Sequence, residues 1–188
     1  MKLSRILVST LMFLALIVPS ASFAQDDSGT ASSDAVADEP DYARPGPYMQ
    51  VGLVQAWGQF KDPTVPSRVG INLAVGGRFI QYAAAELDFE GVPNWSIYGR
   101  ETTTYAIMAN GKGYFPIGRF QPFVLAGIGT LISEQGSDHI ARFAYRFGGG
   151  LDVFLTESIY LSASYRYTGN LDDFGYTNML YLVGYHFD

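Results

Sequence analysis

Residues 143–167 read FAYRFGGGLDVFLTESIYLSASYRY and contain two largely apolar runs separated by a short polar segment at 156–158. Most large apolar side chains of both runs occupy odd positions, whereas Arg146, Asp152 and Arg166 occupy even positions. Successive side chains of a β-strand point to opposite faces. The stretch therefore predicts a β-hairpin with one apolar face and one polar face.

The same pattern recurs along the chain from Tyr48 onward. Runs rich in Val, Ile, Tyr, Phe and Thr are separated by Gly, Pro, Asn, Asp and Ser, which is typical of strands joined by turns. We predict eight strands, at residues 48–57, 69–80, 84–90, 104–115, 122–131, 143–154, 159–167 and 179–187. No amphipathic helix is left over, so the predicted fold class is all-β.

Sorting the predicted strands by odd and even residue number separates the charges. Odd positions hold no Asp, Glu, Lys or Arg, and even positions hold all eight strand charges, four of each sign: Arg78, Glu86, Asp88, Glu90, Lys112, Arg146, Asp152 and Arg166. Tight hairpins can carry the alternation from one strand to the next. The odd positions then form one continuous apolar face, which includes Phe123, Leu125 and Leu131.

Two architectures produce this segregation. A soluble lipocalin-like barrel buries the apolar face, whereas a transmembrane barrel turns it towards lipid. The interior of an eight-stranded barrel is just wide enough for side chains to fill, and roughly thirty large apolar residues would overfill it. We therefore predict an eight-stranded antiparallel up-and-down transmembrane β-barrel with the charged even face inside.

Opposite charges inside the lumen are expected to pair, because isolated buried charges are costly. We predict that Arg78 lies opposite Glu86 across the turn at 81–83 and that Lys112 approaches Glu86 and Asp88. Arg146, Asp152 and Arg166 are predicted to form a second cluster. The charges either plug the lumen or only satisfy one another.

Connection lengths alternate as outer-membrane barrels require, with longer external loops and short periplasmic turns. Long connections are predicted at 58–68, 91–103, 132–142 and 168–178, and short ones at 81–83, 116–121 and 155–158. Both chain ends are then expected in the periplasm. Outward aromatic residues form two predicted girdles, one periplasmic (Phe79, Phe115, Phe123, Tyr185, Phe187) and one external (Trp57, Phe89, Tyr105, Phe143, Tyr167).

The N-terminal part has the features of an exported chain. Residues 1–24 combine Lys2 and Arg5 with an apolar stretch at 6–18 and a small-residue site at 21–24, which predicts a secretory signal peptide cleaved before Gln25. Reading the stretch as an uncleaved anchor is disfavoured, because a spanning helix needs about 20 residues. Residues 25–46 hold six acids and one Arg and predict an acidic, disordered periplasmic linker, or a tail that binds a basic partner. The barrel is expected at 47–188.

Composition argues against several classes of function. The net charge is −6, and −8 without Lys2 and Arg5, so we expect no nucleic-acid partner, because phosphate binding needs clustered basic residues. The absence of cysteine excludes disulfides and thiol chemistry. Two distant histidines do not make a metal site, and we expect no cofactor. Ser137, Asp138 and His139 are adjacent in one predicted loop and cannot form a catalytic triad unaided.

Four segments together resemble the small OmpA/OmpX-like outer-membrane β-barrel family: PFVLAGIG at 122–129, FGGGLDV at 147–153, YLSASYRY at 160–167 and LYLVGYHF at 180–187. The resemblance covers about residues 47–188. It implies a bacterial outer-membrane protein. It also implies that the outer-membrane assembly machinery recognises an aromatic residue at the end of the last strand during biogenesis, a position that Phe187 matches. A peptidoglycan-binding domain like that of full-length OmpA-like proteins is not among the 188 residues.

We expect a monomeric, non-enzymatic protein with a structural or surface-interaction role through its external loops. The alternatives are a narrow ion or small-solute pore, an outer-membrane lipid-modifying enzyme and a soluble lipid-binding barrel. Expected partners are outer-membrane lipid and lipopolysaccharide, with Arg68, Arg100 and Arg142 as candidates for contacts with lipid phosphates. Four aromatic residues of the predicted loops have two possible roles, contact with a ligand or packing within the loops: Trp95, Tyr98, Phe174 and Tyr176.

Overall fold

The computed structural model describes residues 41–58, 67–97, 100–135, 138–171 and 175–187. These residues form eight strands: β1 (Gly46–Gly58), β2 (Arg68–Ile80), β3 (Ala83–Ile97), β4 (Arg100–Tyr114), β5 (Phe120–Gln135), β6 (Asp138–Phe154), β7 (Ile159–Asn170) and β8 (Gly175–His186). No helix in this part of the chain is long and apolar enough to cross a membrane.

Each strand pairs with its neighbours in the sequence, and β1 pairs with β8, so the sheet closes into a barrel. All eight pairings are antiparallel. The predicted eight-stranded up-and-down barrel is therefore confirmed. We call the end that carries Gly46, Phe187 and the connections 81–82, 115–119 and 155–158 the terminal end, and the opposite end the hairpin end.

The outer surface is apolar, as the alternation predicts. Exposed side chains include Ile71, Phe79, Phe147 and Tyr165, whereas the even positions that carry charge are buried inside. Two clusters of buried apolar residues also fill the lumen. One contains Tyr48, Ala84, Tyr114, Phe123 and Leu125. The other contains Val54, Ala56, Val92, Ala106, Met108, Leu131, Ala144, Tyr176, Leu180 and Leu182.

The predicted faces of β5 are wrong. The alternation predicts Phe123, Leu125 and Leu131 on the outer surface, but each is at most 4% exposed, whereas Val124 and Ile128 point outward. Directly paired residues share a face. Tyr114 pairs with Phe123, and Gln135 with Asp138, so odd and even numbers exchange on entering β5 and exchange back on leaving it. Phe123 is thus inside the barrel and does not belong to the predicted girdle.

Two of the predicted long loops are mostly strand. β3 and β4 pair up to Ile97 and Arg100, and β5 and β6 pair up to Gln135 and Asp138. The register shifts between Val92 and Trp95, around Pro93, which has no N–H to donate to the ladder. The hairpin end therefore carries two tall hairpins where the sequence predicted loops at 91–103 and 132–142.

Glycines line the lumen where large side chains need room. A Cβ at Gly150 would lie 2.7 Å from Phe123 Cζ and 2.4 Å from the Ala163 carbonyl oxygen. The barrel wall around Gly150 is therefore tightly packed. Gly118, in the connection between β4 and β5, has φ of 57°, a left-handed conformation that favours glycine.

Candidate functional site in the lumen

Three carboxylates stack along one strand inside the barrel. Glu86, Asp88 and Glu90 occupy alternate positions of β3 and are at most 4% exposed. Because alternate side chains of a strand share a face, all three point into the lumen. The sequence predicted the common face of these acids and the approach of Lys112 to Glu86, but not the arginine partners of Asp88 and Glu90.

Asp88 is the centre of an ion-pair network that crosses the lumen. Its Oδ1 lies 2.7 Å from Arg146 Nη1, and its Oδ2 lies 2.7 Å from Arg166 Nη1. Arg146 Nη2 also lies 3.0 Å from Glu90 Oε2. β7, which carries Arg166, is four strands away from β3 in either direction around the barrel, so these contacts span its full width.

Neutral side chains complete the hydrogen bonding of this network. Asn72 Nδ2 donates to Asp88 Oδ2 at 3.1 Å, and Asn178 Nδ2 lies 2.9 Å from each oxygen of Glu90. Tyr176 OH donates to Glu90 Oε1 at 2.8 Å. Tyr176 was predicted as a loop residue that touches a ligand or packs; it lies within β8, is 1% exposed and packs inside the lumen.

Hydroxyl groups of β7 fix both arginines as well. Arg146 Nε donates to Thr168 Oγ1 at 2.8 Å, and Arg166 Nε donates to Ser164 Oγ at 3.0 Å. A buried ion pair persists only when its remaining donors and acceptors are also satisfied. The surrounding hydroxyl and amide groups provide much of this hydrogen bonding.

A second contact lies nearer the terminal end. Lys112 Nζ is 2.7 Å from Glu86 Oε2, as the sequence predicted for this pair. Tyr48 OH donates to the same oxygen at 3.0 Å, and Asn110 Nδ2 donates to Oε1 at 3.2 Å. The ammonium group also lies 4.7 Å from the ring centroid of Phe123. The inward turn of β5 is what brings this ring to Lys112.

The predicted pairing of Arg78 with Glu86 is wrong. The β2–β3 turn consists of Gln81 and Tyr82, with a register shift between Arg78 and Ile80, so Glu86 pairs with Gly76 instead. Arg78 lies closer to the terminal end. Its Nη1 donates to Gln121 Oε1 at 2.5 Å, and its guanidinium lies 4.2 Å from the ring centroid of Tyr114.

The predicted cluster of Arg146, Asp152 and Arg166 is also wrong. Asp152 is six residues from Arg146 on β6, which is about 20 Å along a strand. Asp152 Oδ2 accepts a hydrogen bond from Tyr114 OH at 3.2 Å, whereas the two arginines contact Asp88 on β3. The buried charged groups of the described lumen are Glu86, Asp88, Glu90, Asp152, Arg78, Lys112, Arg146 and Arg166. Their formal charges cancel.

Two of the three candidates for lipid contacts, Arg68 and Arg142, lie in β2 and β6. Arg68 pairs with Ala56, and Arg142 pairs with Leu131, and both partners are buried inside. Their alternation therefore places both arginines on the lumen face at the rim of the hairpin end, and their contact with lipid phosphates stays a prediction. The side chains of Arg100 and Trp95 lie outside the described part, as do Tyr98 and Phe174.

The remaining candidate residues lie near the two ends. Phe187 is 41% exposed at the terminal end, and its ring packs edge-on against Tyr185 with 4.9 Å between centroids. His186 is buried on the lumen face. At the hairpin end, His139 Nδ1 lies 3.2 Å from Glu134 Oε1, while Ser137 lies outside the described residues.

Three solved structures with the same fold are outer-membrane barrels. Neisserial surface protein A (NspA) matches with TM-score 0.64 and 18% identity, over 76% of this chain and 97% of that chain. The N-terminal β-barrel domain of Pseudomonas aeruginosa OprF matches with TM-score 0.56 and 14% identity, over 77% of this chain and 100% of that chain. The Yersinia pestis attachment invasion locus protein Ail matches with TM-score 0.55 and 18% identity, over 76% of this chain and 99% of that chain. That structure was solved with the heparin analogue sucrose octasulfate.

No curated protein matches the chain significantly in a sequence comparison. The family model of the outer membrane protein β-barrel domain, in contrast, matches residues 11–187. This family resides in the bacterial outer membrane, where the apolar outer surface of the barrel faces lipid. Because the family model matches residues 11–187 and the fold is a closed eight-stranded barrel, the chain belongs to the outer membrane protein β-barrel family.

Proposed function

We propose that this protein is a non-conducting outer-membrane barrel with a structural or surface-interaction role at its hairpin end. The observation that carries the proposal is the bridge from Asp88 to Arg146 and Arg166, which joins opposite walls of the lumen at 2.7 Å. The short turns at the terminal end favour an orientation with that end in the periplasm.

The filling of the lumen supports a closed barrel. The charges of the network are buried and balanced, and the apolar cluster that includes Met108 and Leu180 occupies the lumen beside them. A hydrated ion entering the barrel would have to separate ion pairs that hold both walls. Separating such a pair would leave uncompensated charges in the lumen, and this opposes the passage of an ion.

The hairpin end is the side that supports an interaction role. A transmembrane β-strand needs about 9–11 residues, whereas β5 has 16 residues and β6 has 17. The hairpins β3–β4 and β5–β6 therefore extend beyond a bilayer that the shorter β7 and β8 span. Ail, which shares this fold at 18% identity, has been solved with a heparin analogue. The comparison is one of fold only, and the proposed surface role follows from strand length.

Two expected partners complete the proposal. Lipopolysaccharide would surround the rim of the hairpin end, where Arg142 is exposed. Replacing Arg68, Arg100 and Arg142 together by Ala should lower affinity for lipopolysaccharide, and unchanged affinity would remove these residues from the proposal. The outer-membrane assembly machinery would recognise the last strand through Phe187. We further propose that the barrel is not an enzyme and acts as a monomer.

Osmotic swelling of proteoliposomes tests the non-conducting proposal. The chain from Gln25 onward is refolded into liposomes, and barrel formation is verified by the gel mobility of boiled and unboiled samples. In a solution of a small sugar, the proteoliposomes should swell no faster than liposomes without protein. Faster swelling with a folded barrel would favour the alternative, a narrow small-solute pore.

A further inference from the structure

Residues 41–45 lie against the terminal end of the barrel. The sequence places them in an acidic linker, and β1 begins directly after them at Gly46. Gly46 pairs with Arg78 of β2, so the segment enters the barrel wall on that side. Its contacts are with residues of β2, β5 and β6 and of the connections between strands.

The main chain of this segment is held by side chains that face the lumen. Gln121 Nε2 donates to the Tyr42 carbonyl oxygen at 2.7 Å, and Arg78 Nη1 donates to it at 3.4 Å. Gln121 is 0% exposed and Arg78 is 4% exposed. Because these donors point inward from the wall, the accepting carbonyl lies over the opening of the barrel.

The Tyr42 ring extends an aromatic stack at the same opening. Its centroid is 5.7 Å from that of Phe154, which itself stacks on Tyr160 at 4.9 Å. The guanidinium of Arg119 lies 5.6 Å from the Tyr42 ring centroid. Phe154 and Tyr160 are both buried on the lumen face, so the ring closes over side chains that fill the barrel.

The positions of these contacts show how far the segment reaches. Gln121 belongs to β5, which is four strands from β1 in either direction, and Phe154 belongs to the adjacent β6. Arg44 Nη2 also donates to Ser158 Oγ, at 3.3 Å, in the connection between β6 and β7. The chain therefore crosses the opening from β1 to the opposite wall.

We propose that residues 41–45 form a lid over the terminal mouth of the lumen, fastened by Tyr42. The lid lies outside every strand ladder, because β1 starts at Gly46, and it can open without breaking the pairing of the barrel. It closes the lumen in series with the network around Asp88. This inference goes beyond the proposed function and holds whether or not the barrel conducts.

Thiol protection in detergent micelles tests the lid, because the natural chain contains no cysteine. Ala84→Cys is the reporter, since Ala84 is 5% exposed on the lumen face and pairs with Arg78, a contact of the lid. Glu157→Cys, exposed in a turn at the same end, is the reactivity control. Each reporter is placed in the chain from Gln25, in the same chain with Tyr42→Ala, and in a chain that starts at Gly46.

The lid predicts slow modification of Ala84→Cys by a small methanethiosulfonate reagent in the parent chain. Modification should be about tenfold faster with Tyr42→Ala. A factor of this size corresponds to the stabilisation that one aromatic pair and one cation–π contact give the closed lid. Ala84→Cys in the truncated chain should react at least as fast as in the Tyr42→Ala chain. Glu157→Cys should react at the same rate in all three chains. Equal rates for Ala84→Cys in the parent and in both lid variants would overturn the proposal.

A spin label on Ala43→Cys provides a second measurement that does not depend on reagent access. Ala43 is half-buried within the segment. The label should be immobilised in the parent chain and in the matched control Asp41→Asn, which keeps an acceptor for the Ala43 amide. It should become mobile with Tyr42→Ala. A freely mobile label in the folded parent chain would overturn the lid even if the truncated chain failed to fold.

Discussion

Asp88 on β3 and Arg166 on β7 meet across the full width of the barrel, with 2.7 Å between Oδ2 and Nη1. The two strands share no ladder, so the direct contact between them is made by side chains. Both residues are 0% exposed. The contact therefore acts as an internal brace and as an obstacle in the lumen.

Asp88→Ala should destabilise the folded barrel by about 3–5 kcal/mol, because it leaves Arg146 and Arg166 buried beside an empty position. The free energy of unfolding in micelles, measured by urea titration, checks this. Glu157→Ala, which removes an exposed acid from a turn, is the matched control and should change stability by less than about 0.5 kcal/mol. An Asp88→Ala barrel as stable as the parent would contradict the role of the network.

Glu86 and Lys112 should behave as a coupled pair in a double-mutant cycle. Glu86→Gln and Lys112→Met each remove one partner of a buried ion pair whose atoms are 2.7 Å apart. The double variant should be more stable than the sum of the single changes predicts, by about 0.5–3 kcal/mol. Strict additivity of the three unfolding free energies would show that the two residues do not interact.

Gly184→Ala should destabilise the barrel by about 1–3 kcal/mol through overpacking. An added Cβ would lie 2.1 Å from Tyr160 Cζ, and this ring is buried in the lumen. Gly77→Ala is the matched control, since its Cβ would have no neighbour closer than 4.0 Å. Thermal unfolding of both variants measures the difference, and equal melting temperatures would place the Tyr160 ring elsewhere.

Neighbouring cysteines on β5 should report opposite surroundings. Val124 is 56% exposed on the outer surface, whereas Leu125 is 4% exposed inside. Spin labels on Val124→Cys and Leu125→Cys in a bilayer should show high and low accessibility to dissolved oxygen, respectively. The reverse order would restore the unbroken odd–even alternation and contradict the register of β5.

The sequence predicted the barrel because large apolar side chains alternate with the period of a strand in most runs and all eight strand charges fall on even positions. The same alternation identified Glu86 and Lys112 as lumen residues, and their contact followed from two adjacent strands. It failed at β5, because an even number of residues, 115–122, separates Tyr114 from its partner Phe123 and exchanges the faces. Nothing in the composition of that connection reveals its register.

Contacts between distant strands could not be read from the sequence. Arg146 and Arg166 were grouped with Asp152 because they share adjacent strands, whereas depth along the barrel decides their partners. The linker prediction for residues 25–46 rested on charge and did not distinguish Tyr42, whose ring packs against Phe154. An aromatic residue just before the first strand is the one signal that could have indicated this contact.

Single-channel recording in a planar bilayer tests the central claim, a lumen closed by the network around Asp88. The chain from Gln25 onward is refolded, its barrel is verified by gel mobility, and its insertion is verified by protease protection. We predict a silent membrane in potassium chloride. A steady conductance from the folded, inserted barrel that changes with Asp88→Asn or Lys112→Met would contradict the account and make the lumen charges part of a pore.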